Sequence, residues 1–142
     1  MEKMPPISKI YEAYSCLADH RIEMSENEAK VTSSDYKKIY TIKWKDSIYS
    51  SNDHATYWQG YPGYPILAVL MIQNKLDYNK KILPLFKNIN WHELNLKHKR
   101  DYNKAIEEVL QTMSDDKKII VESVEKTYEI LKRMSISIKK KI

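Results

Sequence analysis

Lys38-Ile39-Tyr40-Thr41-Ile42-Lys43-Trp44 sets Tyr40, Ile42 and Trp44 on one side of an extended chain and Ile39, Thr41 and Lys43 on the other. Side chains of a strand point alternately to opposite faces, and β-branched and aromatic residues suit the pleat. The stretch therefore predicts a strand with one face packed and one face wet. Its surroundings repeat the pattern. Upstream, Ile22 and Met24 alternate with polar neighbours, Ser25-Glu26-Asn27-Glu28 offers a turn, Ala29 to Ser33 alternates again, and Ser34-Asp35 turns a second time. Downstream, Lys45-Asp46 is a short turn before a last extended stretch, Ser47 to Ser51. Alternating runs joined by short polar turns predict a small antiparallel meander of about three or four strands over residues 20–51.

Helical periods flank this sheet. Pro5 and Pro6 suit a first helical turn, and Ile7, Ile10, Tyr14 and Leu17 then mark one face of a helix running to about Asp19. After the sheet, Pro65 opens an apolar run from Ile66 to about Leu76, a helix apolar all round and therefore central. Ile82, Leu83 and Phe86 predict a short helix that tolerates Pro84 only near its start. Asn90 and Glu93 have the form of a capping box, and Trp91, Leu94, His98, Tyr102, Ala105, Ile106, Val109 and Met113 make the stripe of one long helix. Ser114, Asp115 and Asp116 favour the start of a last helix, about residues 115–138, with Ile120, Val124, Thr127, Leu131, Met134 and Ile138 in a 4,3 repeat. Strands segregated from helices predict an α+β fold: an N-terminal helix, a small antiparallel sheet, then about four helices. A chain of 142 residues suits a single domain, and the last helix is the one piece able to project from it.

Composition narrows the chemistry. Cys16 is the only cysteine, so no intramolecular disulfide forms and a reducing compartment is expected. The N-terminus lacks a signal-like apolar run, and the longest apolar stretch, Ile66 to Ile72, is far short of the ~20 residues that cross a bilayer. A soluble cytoplasmic protein without membrane contact is the expectation. His20, His54, His92 and His98 form no i, i+4 pair, and Cys16 has no second thiol, so no metal site is expected. With only Gly60 and Gly63, the chain has little bare backbone to wrap around phosphates, and no cofactor is expected. Cys16 beside Leu17 reads as an inert core thiol.

Three regions could carry function. The first is Asn52 to Tyr64, where Asn52, Tyr57, Trp58, Gln59, Tyr61 and Tyr64 gather amide and aromatic groups suited to a ligand, while Asp53 and His54 supply the one acid–base pair. By its turn residues the stretch reads as a loop, and the same composition would also build a rigid plug over the sheet edge. The second is charge. The net charge is +5, and residues 75–104 hold eight basic and three acidic side chains. Lys97, Arg100 and Lys104 recur at helical spacing opposite the apolar stripe, as a nucleic-acid face or a solvated one would. The third is the last helix, whose repeat could seal a homodimer, receive a protein partner, or pack back on its own domain. Together these features favour a small non-enzymatic binding or interaction protein. Nucleic-acid binding through the basic helix face is the alternative, and a small enzyme built on Asp53 and His54 is the next.

Overall fold

A computed structural model describes residues 1–142. The sheet forms as its alternation demands. β1 (Ile22–Met24), β2 (Glu28–Thr32), β3 (Ile39–Lys45) and β4 (Ile48–Ser51) run antiparallel in chain order. Tyr40 lies opposite Val31, and Ile42 opposite Ala29 on one side and Ser51 on the other. Ala29, Val31, Ile42 and Tyr49 are buried on the inward face, while Lys30, Lys43 and Lys45 are exposed on the outward one.

A fifth strand makes the sheet mixed rather than purely antiparallel. β5 (Ser137–Ile138) runs parallel to β4, with Ile48 opposite Ser137 and Tyr49 opposite Ile138. The last helix therefore ends at Lys132, not near Ile138. Beyond it, Ser137 N–H donates to the Ser47 carbonyl and Lys139 N–H to the Tyr49 carbonyl, which covers the exposed edge of β4.

The inward face is covered by helices. α1 (Ser8–Ala18) is buried along its whole length. α3 (Tyr64–Ile72) lies between α1 and the sheet, with Ile66 to Leu70 fully enclosed. A 3-10 segment, Lys80–Phe86, packs on the other side of α1 and takes Pro84 into its interior. The short i→i+3 turns of such a segment lose less to a missing N–H than an α-helix would. Aromatic packing fixes the far side of α1. Phe86 stacks on Tyr14 at 5.0 Å between centroids, and Trp91 Nε1–H donates to Ser15 Oγ at 2.7 Å.

The long helix expected from Trp91 to Met113 is two helices, α4 (Trp91–Lys97) and α5 (Tyr102–Gln111). Lys99 and Arg100 adopt left-handed backbone (φ 53° and 66°), and Asp101 caps α5 by accepting from the Lys104 N–H. A left-handed conformation costs an ordinary residue about 1–2 kcal/mol. Here the turn gains the Asp101 cap and a clasp at Glu108. The Glu108 carboxylate accepts from Lys97 Nζ at 2.6 Å and lies 3.1 Å from His98 Nε2, and these bonds hold its carboxyl below the usual range.

The final helix is α6 (Lys117–Lys132), and its stripe is consumed inside the chain: Ile120, Val124, Thr127 and Leu131 are all buried. Thr127, the polar break in the 4,3 repeat, donates to the Asp77 carbonyl at 3.0 Å and lies 3.4 Å from the Tyr14 hydroxyl. The repeat is thus written for α1 and the segment after α3. Leu131 is 0 % exposed. Leu131→Asp removes a core leucine and buries an unpaired carboxylate, a loss of about 4 kcal/mol or more. The expected result is a much lower melting temperature at unchanged solution mass; a change of mass would mean that Leu131 holds two chains together. No helix is long and apolar enough to cross a membrane.

Candidate functional site

The Asn52 to Tyr64 stretch is a short helix rather than a loop, and its sequence contains both ends. Asp53 is the N-cap of α2 (His54–Gln59), and Gly60 ends it in left-handed backbone at φ 75°. One Asp53 oxygen accepts the Ser51 hydroxyl, and the other accepts the Thr56 N–H at 3.1 Å. The Thr56 hydroxyl in turn accepts the Gly63 N–H at 2.9 Å. A Cβ on Gly63 would land on the Asp53 carboxylate, so glycine is what lets the start of α3 pass this close to the start of α2.

These bonds decide what Asp53 does. It is 4 % exposed and its carboxylate is used on both oxygens, whereas His54 is exposed. No hydrogen bond or ion pair joins the two side chains, so the sequence neighbours do not form an acid–base pair in space. The structure also divides the six candidate ligand residues between two places. Asn52 turns to the sheet, where its Oδ1 accepts the Thr41 N–H at 2.9 Å. Trp58 is 64 % exposed, with Tyr57 edge-on against it at 4.9 Å and the Lys140 ammonium 5.3 Å from its centroid. Gln59 is exposed, and its carbonyl accepts Lys3 Nζ.

Tyr61 and Tyr64 turn instead toward α1. Tyr64 lies under the Arg21 guanidinium at 5.9 Å and edge-on to Tyr40. Burial pushes the hydroxyls of Tyr40, Tyr61 and Tyr64 up from their ordinary value. At the centre of this side is a buried ion pair that sequence reasoning missed, Lys9 Nζ to Glu12 Oε2 at 3.2 Å, with Lys9 also 4.6 Å over the Tyr102 ring. Burial by itself lowers Lys9, but Glu12 and the neighbouring tyrosines more than reverse it, and the ammonium is held above its usual range. The signal was two opposite charges, three residues apart, on a helix otherwise closed to solvent.

The basic helix face does not assemble. The break at Lys99 and Arg100 takes Lys97 and Lys104 onto different helices, where Lys97 pairs with Glu108 and Lys104 with Asp101. Positive charge gathers elsewhere, on the outward face of the sheet. Lys30, Lys43 and Lys45 stand on the strands, and Lys140 and Lys141 follow β5 on the same side. Glu23 and Glu28 are the acids among the outward positions of the strands. Lys30 bonds Thr41 and approaches Glu28, but Lys43, Lys45, Lys140 and Lys141 join none of the molecule's ion pairs.

Two shallow grooves cross this face. One of about 490 Å³ passes Lys43, Thr41 and Lys140, and one of about 430 Å³ passes Ile39, His54 and Trp58. Asn52 lines both, so they adjoin. Ile39 is 66 % exposed, an apolar side chain on a polar face, which the strand alternation had already placed there. Elsewhere Cys16 is fully buried and its thiol is pushed up to about 12, and no cluster of three or more His, Cys, Asp or Glu side chains could hold a metal ion.

A family model described as "Uncharacterised conserved protein UCP014422" matches residues 2–137. Neither a curated protein nor a solved structure matches the chain.

Proposed function

The chain belongs to this uncharacterised conserved family, and from that premise we propose that it is a non-enzymatic binding protein whose site is the outward face of the sheet. One observation carries the reading. A sheet face without a covering helix collects five lysines against two glutamates, and it ends on an exposed tryptophan and isoleucine. Antiparallel sheets often leave one face to solvent, but a solvated face has no need of a large indole ring in water. Lysine ammonium groups on a shared face sum to a positive potential that draws anions, over about 8 Å at physiological ionic strength. The two adjoining grooves are open to solvent, which suits an extended polyanion better than an enclosed small molecule. Asp53 is taken up as a helix cap and Cys16 as a core thiol, so neither is offered to a ligand on this surface.

Heparin, a generic polyanion, tests the reading. Lys43→Glu with Lys140→Glu reverses two charges on the face, and Lys80→Glu with Lys81→Glu makes the same net change on the exposed 3-10 segment beyond α1. The first pair is expected to elute from immobilised heparin at markedly lower salt than the second. Equal elution of the two pairs would show that only net charge matters and would remove the face from consideration.

A further inference from the structure

Resting on that reading, we propose that the polyanion is a single-stranded nucleic acid, with a base stacked on Trp58 and its phosphates led away over Lys43 and Lys140. The inference comes from what stands beside the charge. Trp58 is 64 % exposed, and the Lys140 ammonium lies over its ring 5.3 Å from the centroid, so a base stacking on that face takes the place of the ammonium and leaves it beside the phosphate. Ile39 offers a second apolar surface in the same groove, and Asn52 sits at the junction with the lysine groove.

Each alternative polyanion leaves part of this unused. A duplex keeps its base faces stacked internally and presents phosphates, so it would engage the lysines and give Trp58 no partner. A carboxylate-rich peptide would pair with lysines and has no planar ring to lay on the indole. An unpaired base has a π-face whatever its identity, and its backbone carries a charge at every residue. A strand face edged by an aromatic therefore fits it, with weak preference for sequence. No bond is made or broken; the step is stacking plus counterion release.

The test uses the full chain and a fluorescein-labelled oligothymidylate of roughly 15 nucleotides, about one binding-fold site size, followed by anisotropy. Wild type is expected to bind the single strand more tightly than a duplex of the same length, with affinity falling as salt rises. Trp58→Ala is expected to weaken single-strand binding about tenfold or more while leaving duplex and heparin binding unchanged, and Trp58→Phe should restore part of the loss. Because Trp58 is exposed, an unchanged melting temperature separates lost stacking from lost fold.

If Trp58→Ala binds the single strand as wild type does, or if polyglutamate binds equally well, the nucleic-acid inference is overturned. Heparin retention through Lys43 and Lys140 would still stand in that case. Loss of heparin discrimination would sink the surface itself. The two readings therefore fail on different measurements.

Discussion

Gly63→Ala should be among the most destabilising single-methyl additions in the molecule. The new Cβ meets Asp53 Oδ2 and lies 3.0 Å from Thr56 Oγ1. Neither can step aside at low cost. The Asp53 carboxylate is fixed by the Ser51 hydroxyl and the Thr56 N–H, and the Thr56 hydroxyl is fixed by the Gly63 N–H itself. Overpacking a closed site costs about 1–3 kcal/mol, and losing an N-cap costs about 1 kcal/mol more. A loss of about 3 kcal/mol in urea unfolding is therefore expected, equivalent to a fall in melting temperature on the order of 10 °C for a chain of this size.

Two comparisons isolate the cause. Gly60→Ala meets nothing within 4 Å but must hold φ 75°, so it should cost only about 1 kcal/mol. Asp53→Ala removes both the cap and the obstacle. The double variant Asp53→Ala, Gly63→Ala should therefore be less destabilised than the two single losses added together. Equal losses for Gly60→Ala and Gly63→Ala, or strict additivity of the double variant, would mean that the two helix starts are not in contact. The result also bears on function, because this contact sets the direction of α2 and hence where Trp58 stands.

The elements that were legible in the sequence are those whose signal is local. The alternation in residues 38–44 corresponds to β3 over Ile39–Lys45, with Tyr40 and Ile42 inward and Ile39 and Lys43 outward. The N-terminal helix and the sheet between residues 22 and 51 follow from period and turn residues in the same way. β5 has no such signal. It is two residues long, and only its pairing with Ile48 and Tyr49, far away in the chain, makes it a strand. The break between α4 and α5 was hidden because neither glycine nor proline marks it; Lys99 and Arg100 take the left-handed conformation that glycine would have announced. α2 was written in plain sight, as Asp53 and Gly60 at the two ends of six residues, but the turn residues around it suggested a loop.

The same distinction runs through the candidate site. Asp53 and His54 looked like a pair because they are adjacent, yet a cap turns its side chain back onto the backbone and a first-turn residue turns outward. Trp58 stands exposed in the groove at the end of the outward face. The lysines that now accompany it come from three separate stretches, near residues 30, 43 and 140, and only the strand register and the chain's return past β5 bring them to one face. Charge counted along the chain pointed to residues 75–104, whereas Lys30, Lys43, Lys140 and Lys141 meet around one groove only in the folded chain.

Glu12→Gln is expected to produce a loss comparable to that of Gly63→Ala, by a different mechanism. The side chains of Lys9 and Glu12 are 10 % and 9 % exposed, and their 3.2 Å contact is an ion pair without aligned hydrogen-bond geometry. A glutamine has nearly the same shape but leaves the ammonium without a counter-charge. Breaking a buried pair in this way typically costs about 3–5 kcal/mol, whereas replacing both partners by apolar residues is often neutral. Lys9→Met with Glu12→Leu should therefore recover most of the stability lost in Glu12→Gln.

The pH dependence has a defined sign. The folded-state value of Lys9 is raised above 10.5, so the pair's contribution is complete below that pH and is lost as pH rises through the folded value. Without Glu12, burial favours neutral Lys9, and the variant can shed the proton that troubles it. The stability gap between wild type and Glu12→Gln should accordingly be widest near neutrality and should close as the solution becomes alkaline. A gap that is small at pH 7, or that widens above pH 10.5, would mean that water reaches the pair and screens it. A gap that closes as expected would place a charge-dependent clamp directly beneath Tyr102.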